Sequence, residues 1–185
     1  MSKSTGRRSF FGKAAVAGGA AAAMTARASA QRSVTPDFIK VGFMCVGSNS
    51  HAGLWAPAIN PVKGSRWPGR TTNMLITHCW DSRPADAQKF AERFGCVAVK
   101  NYDGMVGKID ALIIGGFFEA PWWEQLSRPY LEAGIPTYID RPIGLNMRTA
   151  KSIIDRARRN NTPILSCDAH AIMEEAFLSR QKVEQ

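Results

Sequence analysis

Cysteine is scarce in this sequence, and its spacing follows no metal-binding pattern. The four cysteines are Cys45, Cys79, Cys96 and Cys167. They form no C-x-x-C pair and lie in or beside apolar runs, so no metal site is predicted. We expect four buried thiols rather than two disulfides, although an oxidising compartment would permit bridges.

Acidic residues are missing from the first 30 positions, which instead carry five cations, an apolar tract over residues 14–24 and the small residues Ala28, Ser29 and Ala30. That order predicts a cleavable export signal, residues 1–30, cut after Ala30. The pair Arg7 and Arg8 resembles a twin-arginine signal, which implies a periplasmic protein. An apolar tract this short falls well below the ~20 residues that span a bilayer, so no stable membrane anchor is expected after cleavage.

A strong excess of positive charge is absent once the signal is set aside. The whole chain has a formal net charge of +9, but the 155 residues after Ala30 carry 19 cations and 15 acids, a net charge of about +4. This weak basicity predicts no nucleic-acid partner. The remaining length suits one domain after a short linker, residues 31–37.

Apolar runs alternate with amphipathic segments along the rest of the chain. The predicted strands are residues 38–46, 73–80, 97–99, 110–116, 135–139 and 163–167, with helical segments between most of them. Continuous apolar strands are typical of parallel sheets that are covered on both faces. The pattern predicts an α/β fold, a doubly wound parallel sheet of the Rossmann type, over residues 38–172.

Small or polar residues follow the carboxyl ends of five predicted strands. They are Gly47, Ser48, Asn49 and Ser50 after the first, Asp81 after the second, Gly115 and Gly116 after the fourth, Asp140 and Arg141 after the fifth, and His170 after the sixth. In a doubly wound fold these ends meet at one crevice, where ligands bind.

The glycine pattern of a dinucleotide-binding turn is incomplete. Where G-x-G-x-x-G is expected, the sequence has Cys45, Gly47 and Ser50, so only the middle glycine is present. By itself the stretch is equally consistent with an ordinary strand-to-helix turn that binds nothing.

Two motifs in the later part of the chain are distinctive: residues 138–146, YIDRPIGLN, and residues 131–134, LEAG. The first resembles the strand–EKP–helix motif of the Gfo/Idh/MocA oxidoreductases and the second also matches that family, so residues 39–171 resemble it. The resemblance implies an NAD- or NADP-binding Rossmann domain and a sugar- or cyclitol-like substrate that is oxidised at a CH–OH group. Some members of the family are periplasmic twin-arginine substrates, which fits the predicted signal.

The same resemblance implies roles for the residues of the crevice. Gly47, with the backbone of Ser48, Asn49 and Ser50, would hold the cofactor diphosphate at a helix start. Asp81 would bind the adenosine ribose, which favours NAD, while Arg83 leaves NADP open; the alternative for Asp81 is a plain helix cap. Gly115 and Gly116 would let the nicotinamide half pass close to the strand.

The EKP motif is altered in this chain. Arg141 stands in place of the lysine and can orient a hydroxyl or stabilise negative charge, but it is a poor proton carrier. Asp140 replaces the glutamate, and the bond before Pro142 is expected to be cis as in the family. Both charged residues could instead only shape the turn. His170 is the candidate proton-transfer group, with a structural role as the alternative, and His51 and His78 rank below it.

Residues 173–185 are expected to begin the second domain of the family, so the chain is expected to be incomplete as an enzyme, working as a homo-oligomer or with a separately encoded C-terminal half. The leading hypothesis is the NAD(P)-binding domain of an oxidoreductase. The alternative is a redox-inactive, exported binding protein on the same fold.

Overall fold

The computed structural model describes residues 38–64 and 72–167. Within them the strands are β1 (Ile39–Met44), β2 (Met74–Trp80), β3 (Val97–Ala98), β4 (Ala111–Ile114), β5 (Thr137–Ile139) and β6 (Ile164–Leu165). The α-helices are α1 (Ala52–Ile59), α2 (Pro84–Phe94), α3 (Trp123–Glu132) and α4 (Met147–Arg159), and a 3-10 helix covers Ala120–Trp122. The predicted export signal, the linker and His170 lie outside the described residues.

The six strands form one sheet in the order β3-β2-β1-β4-β5-β6, and all their pairings are parallel. This is the strand order of a Rossmann fold: β1 to β3 follow one another outward on one side, β4 to β6 follow one another outward on the other, and the switch lies between β1 and β4. The predicted fold class is confirmed. The carboxyl ends of β1 and β4 therefore lie side by side at the centre of the sheet, where a crevice opens.

Alternate residues of β1 supply two separate cores, one on each face of the sheet. Val41 and Phe43 pack with the apolar sides of α1 and α2. Met44 belongs to the opposite cluster, which contains the side chains of α3 and α4. Burial on both faces of the sheet explains the unbroken apolar character of β1.

The ends of two helices follow the signals in the sequence. Pro84 is the first residue of α2, and Gly95 ends that helix with φ 68°, a left-handed conformation that favours glycine. Asn146 caps α4, because its side-chain oxygen accepts a hydrogen bond from the Thr149 N–H at 2.9 Å.

All four cysteines are free thiols, but only two of them are buried. Cys45 and Cys79 lie in the core, whereas Cys96 and Cys167 are half-buried, so the prediction of four buried thiols was wrong for the second pair. Those two flank the short outer strands β3 and β6, where less of the protein covers them. Among the described residues there is no group of side chains arranged to hold a metal ion, and no helix has the length and apolar character needed to cross a membrane.

Candidate active site

The turn after β1 keeps the geometry of a glycine turn although its first glycine is missing. Cys45 has φ 60°, a left-handed conformation that glycine adopts at little cost and other residues seldom adopt. Its N–H donates to the carbonyl of Trp80 at 2.8 Å. The backbone therefore makes the tight turn of the dinucleotide motif with a cysteine in place of glycine.

Ser50, in place of the last glycine, completes the start of α1. Its hydroxyl oxygen accepts a hydrogen bond from the Ala52 N–H at 3.0 Å. The serine thus satisfies one of the backbone donors that a helix leaves unpaired at its first turn.

Gly115 and Gly116 allow the loop after β4 to lie against this turn. A Cβ at Gly116 would lie 2.5 Å from the Cβ of Cys45, and one at Gly115 would lie 3.0 Å from Oγ of Ser50. The His51 N–H also donates to the Gly115 carbonyl at 2.9 Å. Atoms of the protein itself therefore occupy the room that both glycines leave, and their predicted contact with a nicotinamide stays a prediction.

Asp81 connects the end of β2 to the turn after β1. Its side chain is buried, with Oδ2 accepting from the Gly47 N–H at 2.7 Å and Oδ1 accepting from the Arg83 N–H at 2.9 Å. The cap residue of α2 is Arg83, not Asp81, so Asp81 is not a plain helix cap. Its carboxylate is instead held beside Gly47, as a ribose-binding carboxylate would be.

The Arg83 side chain covers Gly47 from outside. Its Nη2 lies 2.9 Å from Oδ2 of Asp86, and its Nε lies 3.8 Å from Oδ1 of Asp81. A Cβ at Gly47 would lie only 2.4 Å from that Nη2. Two carboxylates thus share the charge of this half-exposed guanidinium.

A second contact between loops, which the sequence did not predict, joins Ser82 to Glu119. The Ser82 hydroxyl donates to Oε1 of the buried Glu119 at 2.7 Å. A polar residue in the apolar run after Gly115 and Gly116 was the only signal in the sequence for Glu119.

Burial and the nearby Glu119 and Asp81 carboxylates raise the pKa of the Cys45 thiol well above its usual range, so this cysteine stays protonated and is a poor nucleophile.

Asp140 lies buried at the end of β5. One oxygen, Oδ1, accepts from the Arg141 N–H at 2.8 Å, and the other, Oδ2, lies 2.8 Å from Nδ1 of His51. The Arg141–Pro142 bond is cis, as expected, and the Arg141 guanidinium carbon lies 5.9 Å from the centre of the Phe117 ring. Asp140 therefore shapes its turn, and it also joins β5 to the start of α1.

An open cleft of ≈ 340 Å³ lies between the turn after β1 and the loop after β4. It is lined by Ser48, Asn49, Ser50, His51, Phe117 and Phe118. The structure thus brings the turn after β1 together with the ends of β2, β4 and β5, as predicted. His51 also belongs to the site, although it ranked low from the sequence alone. The sequence carries no sign of its contact with Asp140, because that partner lies 89 positions away in the chain.

The model of the Gfo/Idh/MocA oxidoreductase family, NAD-binding Rossmann fold, matches residues 52–167. No curated protein matches the sequence.

Solved structures of three oxidoreductases are similar to this chain. Scyllo-inositol dehydrogenase of Lactobacillus casei, solved with NAD(H) and scyllo-inositol, has 18% identity and a TM-score of 0.62, and the match covers 80% of this chain and 41% of that one. Biliverdin reductase of Synechocystis, solved with biliverdin and NADP+, has 18% identity and a TM-score of 0.61, with 79% of this chain and 43% of that one covered. A 3-ketoreductase of Actinomadura kijaniata, solved with NADP and a TDP-linked ligand, has 17% identity and a TM-score of 0.62, with 80% of this chain and 44% of that one covered. At these identities the likeness shows the fold alone. The match also covers less than half the length of each of these proteins. Since the family model covers more than half of the chain and the strand order is that of a Rossmann domain, this chain belongs to the Gfo/Idh/MocA oxidoreductase family and carries its NAD-binding domain.

Proposed function

We propose that the crevice binds NAD(P), with NAD preferred, and that the domain serves an oxidoreductase acting on CH–OH groups of sugar- or cyclitol-like molecules. The observation that carries the proposal is the Asp81 carboxylate, which is buried and fixed by the Gly47 N–H at 2.7 Å. A carboxylate beside the glycine of this turn is the arrangement that accepts hydrogen bonds from the adenosine ribose.

The diphosphate would lie in the cleft beside residues 48–50. These residues come directly before α1, and the amino end of a helix favours anions because its first N–H groups point outward. The left-handed turn at Cys45 keeps this part of the backbone close to β1, as the glycine of the family motif does.

The preference for NAD follows from the carboxylates at the adenosine end. Asp81, Asp86 and Glu119 lie around Gly47 and Ser82, and a 2′-phosphate would be repelled by them. Arg83 is the cation that could recognise such a phosphate, but Asp86 holds its guanidinium at 2.9 Å. NADP binding would therefore require this ion pair to open.

The substrate class is carried over from the similar proteins. The Lactobacillus casei enzyme was solved with NAD(H) and scyllo-inositol, and the Actinomadura kijaniata enzyme is a 3-ketoreductase. When bound, the cofactor would supply hydride transfer. Arg141, at the end of β5, would orient the hydroxyl or stabilise developing negative charge, because a guanidinium keeps its proton at any working pH. We also keep His170 as a candidate for proton transfer.

Arg141 stands where the family motif has a lysine, and an arginine is a poor proton carrier. This replacement favours a second candidate function, a binding protein on this fold that performs no redox chemistry. Titration of the full chain with NADH and NADPH, followed by fluorescence, tests the binding that both candidates share. Hydride exchange with a panel of sugars and cyclitols, with and without a separately encoded C-terminal half, then separates them. Turnover that rises in Arg141→Lys supports the enzyme, whereas bound cofactor without exchange under any condition supports the second candidate.

We further propose export through the twin-arginine route to the periplasm, with cleavage after Ala30, and assembly as a homo-oligomer or with a C-terminal half. The order of basic, apolar and small residues in positions 1–30 supports the first part. Replacing Arg7 and Arg8 together by Lys should keep the protein in the cytoplasm. A mature amino terminus other than Gln31 in the periplasmic fraction would contradict the cleavage site, and light scattering of the mature protein measures its assembly.

A further inference from the structure

His51 and Asp140 form a pair at the inner edge of the cleft. Nδ1 of His51 lies 2.8 Å from Oδ2 of Asp140, whose side chain is 2% exposed, while the histidine side chain is 26% exposed. A carboxylate buried so completely needs a donor or a positive charge beside it. Oδ2 accepts no well-aligned hydrogen bond in the described part of the chain, so Nδ1 of His51 is its partner at ion-pair distance, and Nε2 is left for other partners.

The imidazole is also fixed from its sides. The Phe117 ring meets it edge-on, with ring centres 4.6 Å apart, and the Trp55 ring lies 5.4 Å away. Two aromatic neighbours and one carboxylate hold the ring more firmly than a surface histidine is held. A side chain fixed in this way can bind a ligand without a large loss of conformational entropy.

Carboxylates near the cleft outnumber the cations that a diphosphate could use, since Arg141, whose guanidinium carbon lies 5.9 Å from the centre of the cleft-lining Phe117 ring, is assigned to the substrate hydroxyl. Asp81, Glu119 and Asp140 are all buried at the same edge of the sheet, so an entering dinucleotide diphosphate meets three carboxylates. Arg83 is paired with Asp86. Of the six residues that line the cleft, His51 alone has a side chain that can carry charge, and it lies next to Ser50 of the predicted phosphate-binding turn.

We infer that His51, oriented by Asp140, binds the diphosphate of the dinucleotide by donating a hydrogen bond from Nε2 of its protonated ring. The inference rests on the proposed function and deepens it. Asp140 is a positioning residue, which holds the ring so that one nitrogen faces the carboxylate and the other faces the cleft. A charge-assisted hydrogen bond of this kind, partly open to water, should change affinity about tenfold.

The test measures NADH binding by fluorescence at pH 6.5 and low salt in wild type, His51→Gln, Asp140→Asn and His51→Lys. His78→Gln is the matched control, because that histidine lies on β2, where its ring is hydrogen-bonded to Oγ1 of Thr77. We expect His51→Gln to weaken NADH binding about tenfold and Asp140→Asn to weaken it by a similar factor. His51→Lys, which restores a cation, should stay within about threefold of wild type, and the control should be unchanged.

Competition by two fragments separates diphosphate binding from a structural role. ADP-ribose contains the diphosphate and should lose affinity in His51→Gln by the same factor as NADH, whereas adenosine should bind as it does to wild type. An equal loss for both fragments, or a His51→Gln protein that binds NADH like wild type, would overturn the inference but leave the proposed function standing. A wild-type chain that binds neither NADH nor NADPH would overturn the proposed function and this inference with it.

Discussion

Oδ2 of Asp81 accepts a hydrogen bond from the backbone N–H of Gly47 at 2.7 Å, across 34 positions of sequence. The contact closes the turn after β1 against the end of β2, and it places a negative charge where an adenosine ribose would bind. Because both Asp81 oxygens accept backbone hydrogen bonds, the carboxylate is oriented before any ligand arrives. This preorganisation makes Asp81 the residue whose replacement should affect cofactor choice most.

Asp81→Asn should therefore weaken NADH binding about tenfold and weaken NADPH binding much less, since the amide no longer repels a 2′-phosphate. Fluorescence titration with both cofactors measures the ratio. Asp110→Asn is the control, because Asp110 also accepts a backbone hydrogen bond, from the Lys40 N–H at 2.8 Å, but lies just before β4, away from the crevice. An unchanged NADH to NADPH ratio in Asp81→Asn would show that this carboxylate does not select the cofactor.

The sequence predicted the doubly wound parallel sheet and the position of Asp81 at the carboxyl end of β2, because both depend on a regular alternation of elements. Each polar residue that directly follows an apolar strand must lie at one edge of a parallel sheet, whatever the details of packing. The predicted ends were less accurate: β4 ends at Ile114, and Gly115 and Gly116 already belong to the loop that packs on Cys45. Local pattern does not encode where such a loop leaves the sheet.

Side-chain pairing between distant loops was beyond sequence reasoning. His51 faces Asp140, and Ser82 donates to Glu119, in each case across many intervening residues. These pairs form because the turns after β1, β2, β4 and β5 converge, and their partners depend on side-chain directions that periodicity does not give. A single sequence contains a histidine before a helix but no sign that a buried carboxylate orients it.

Three of the thiols, those of Cys45, Cys79 and Cys96, should differ in their reactivity toward iodoacetamide. A side-chain hydrogen bond with Cys79 lowers the pKa of the Cys96 thiol, whereas that bond and burial raise the pKa of Cys79, whose thiol also donates to the Ala87 carbonyl at 3.4 Å. Because the thiolate is the nucleophile, Cys96 should be alkylated before Cys79 and Cys45 at pH 7.5. Peptide mass spectrometry over a time course measures the order.

Variants at Cys79 test the cause of this order. Cys79→Ala removes the donor and should slow alkylation of Cys96, while Cys79→Ser keeps a donor and should preserve most of the rate. Equal rates in the two variants would show that exposure of the half-buried Cys96, and not the hydrogen bond, sets its reactivity.

His78 should make the fold less stable in mild acid. Burial, together with Lys108 and Lys40, lowers the pKa of His78 below its ordinary value of 6.5, so the folded protein binds this proton less readily than the unfolded chain does. The free energy of unfolding is therefore at its full value above the unfolded pKa of this histidine, and it decreases as the pH falls through and below 6.5. Urea unfolding of wild type and His78→Gln between pH 5 and pH 7.5 measures it; the variant should have the flatter profile, and parallel profiles would contradict the prediction.

Gly116 and Gly53 should respond to alanine in opposite directions, although both lie near the cleft. A Cβ at Gly116 would lie 2.5 Å from the Cβ of Cys45 and 2.9 Å from its carbonyl oxygen, so Gly116→Ala should lower the free energy of unfolding by about 2–3 kcal/mol. A Cβ at Gly53, within α1, would meet nothing within 4 Å, and Gly53→Ala should raise that free energy by up to about 1 kcal/mol, since alanine is the better helix former. Urea unfolding gives both values. The double variant Cys45→Gly with Gly116→Ala removes the contact with the Cys45 Cβ and should recover part of the loss. If it recovers none, the clash is with Oε2 of Glu119, which lies 2.6 Å from the added Cβ, or with the Cys45 carbonyl oxygen, and position 116 demands glycine whatever residue occupies position 45.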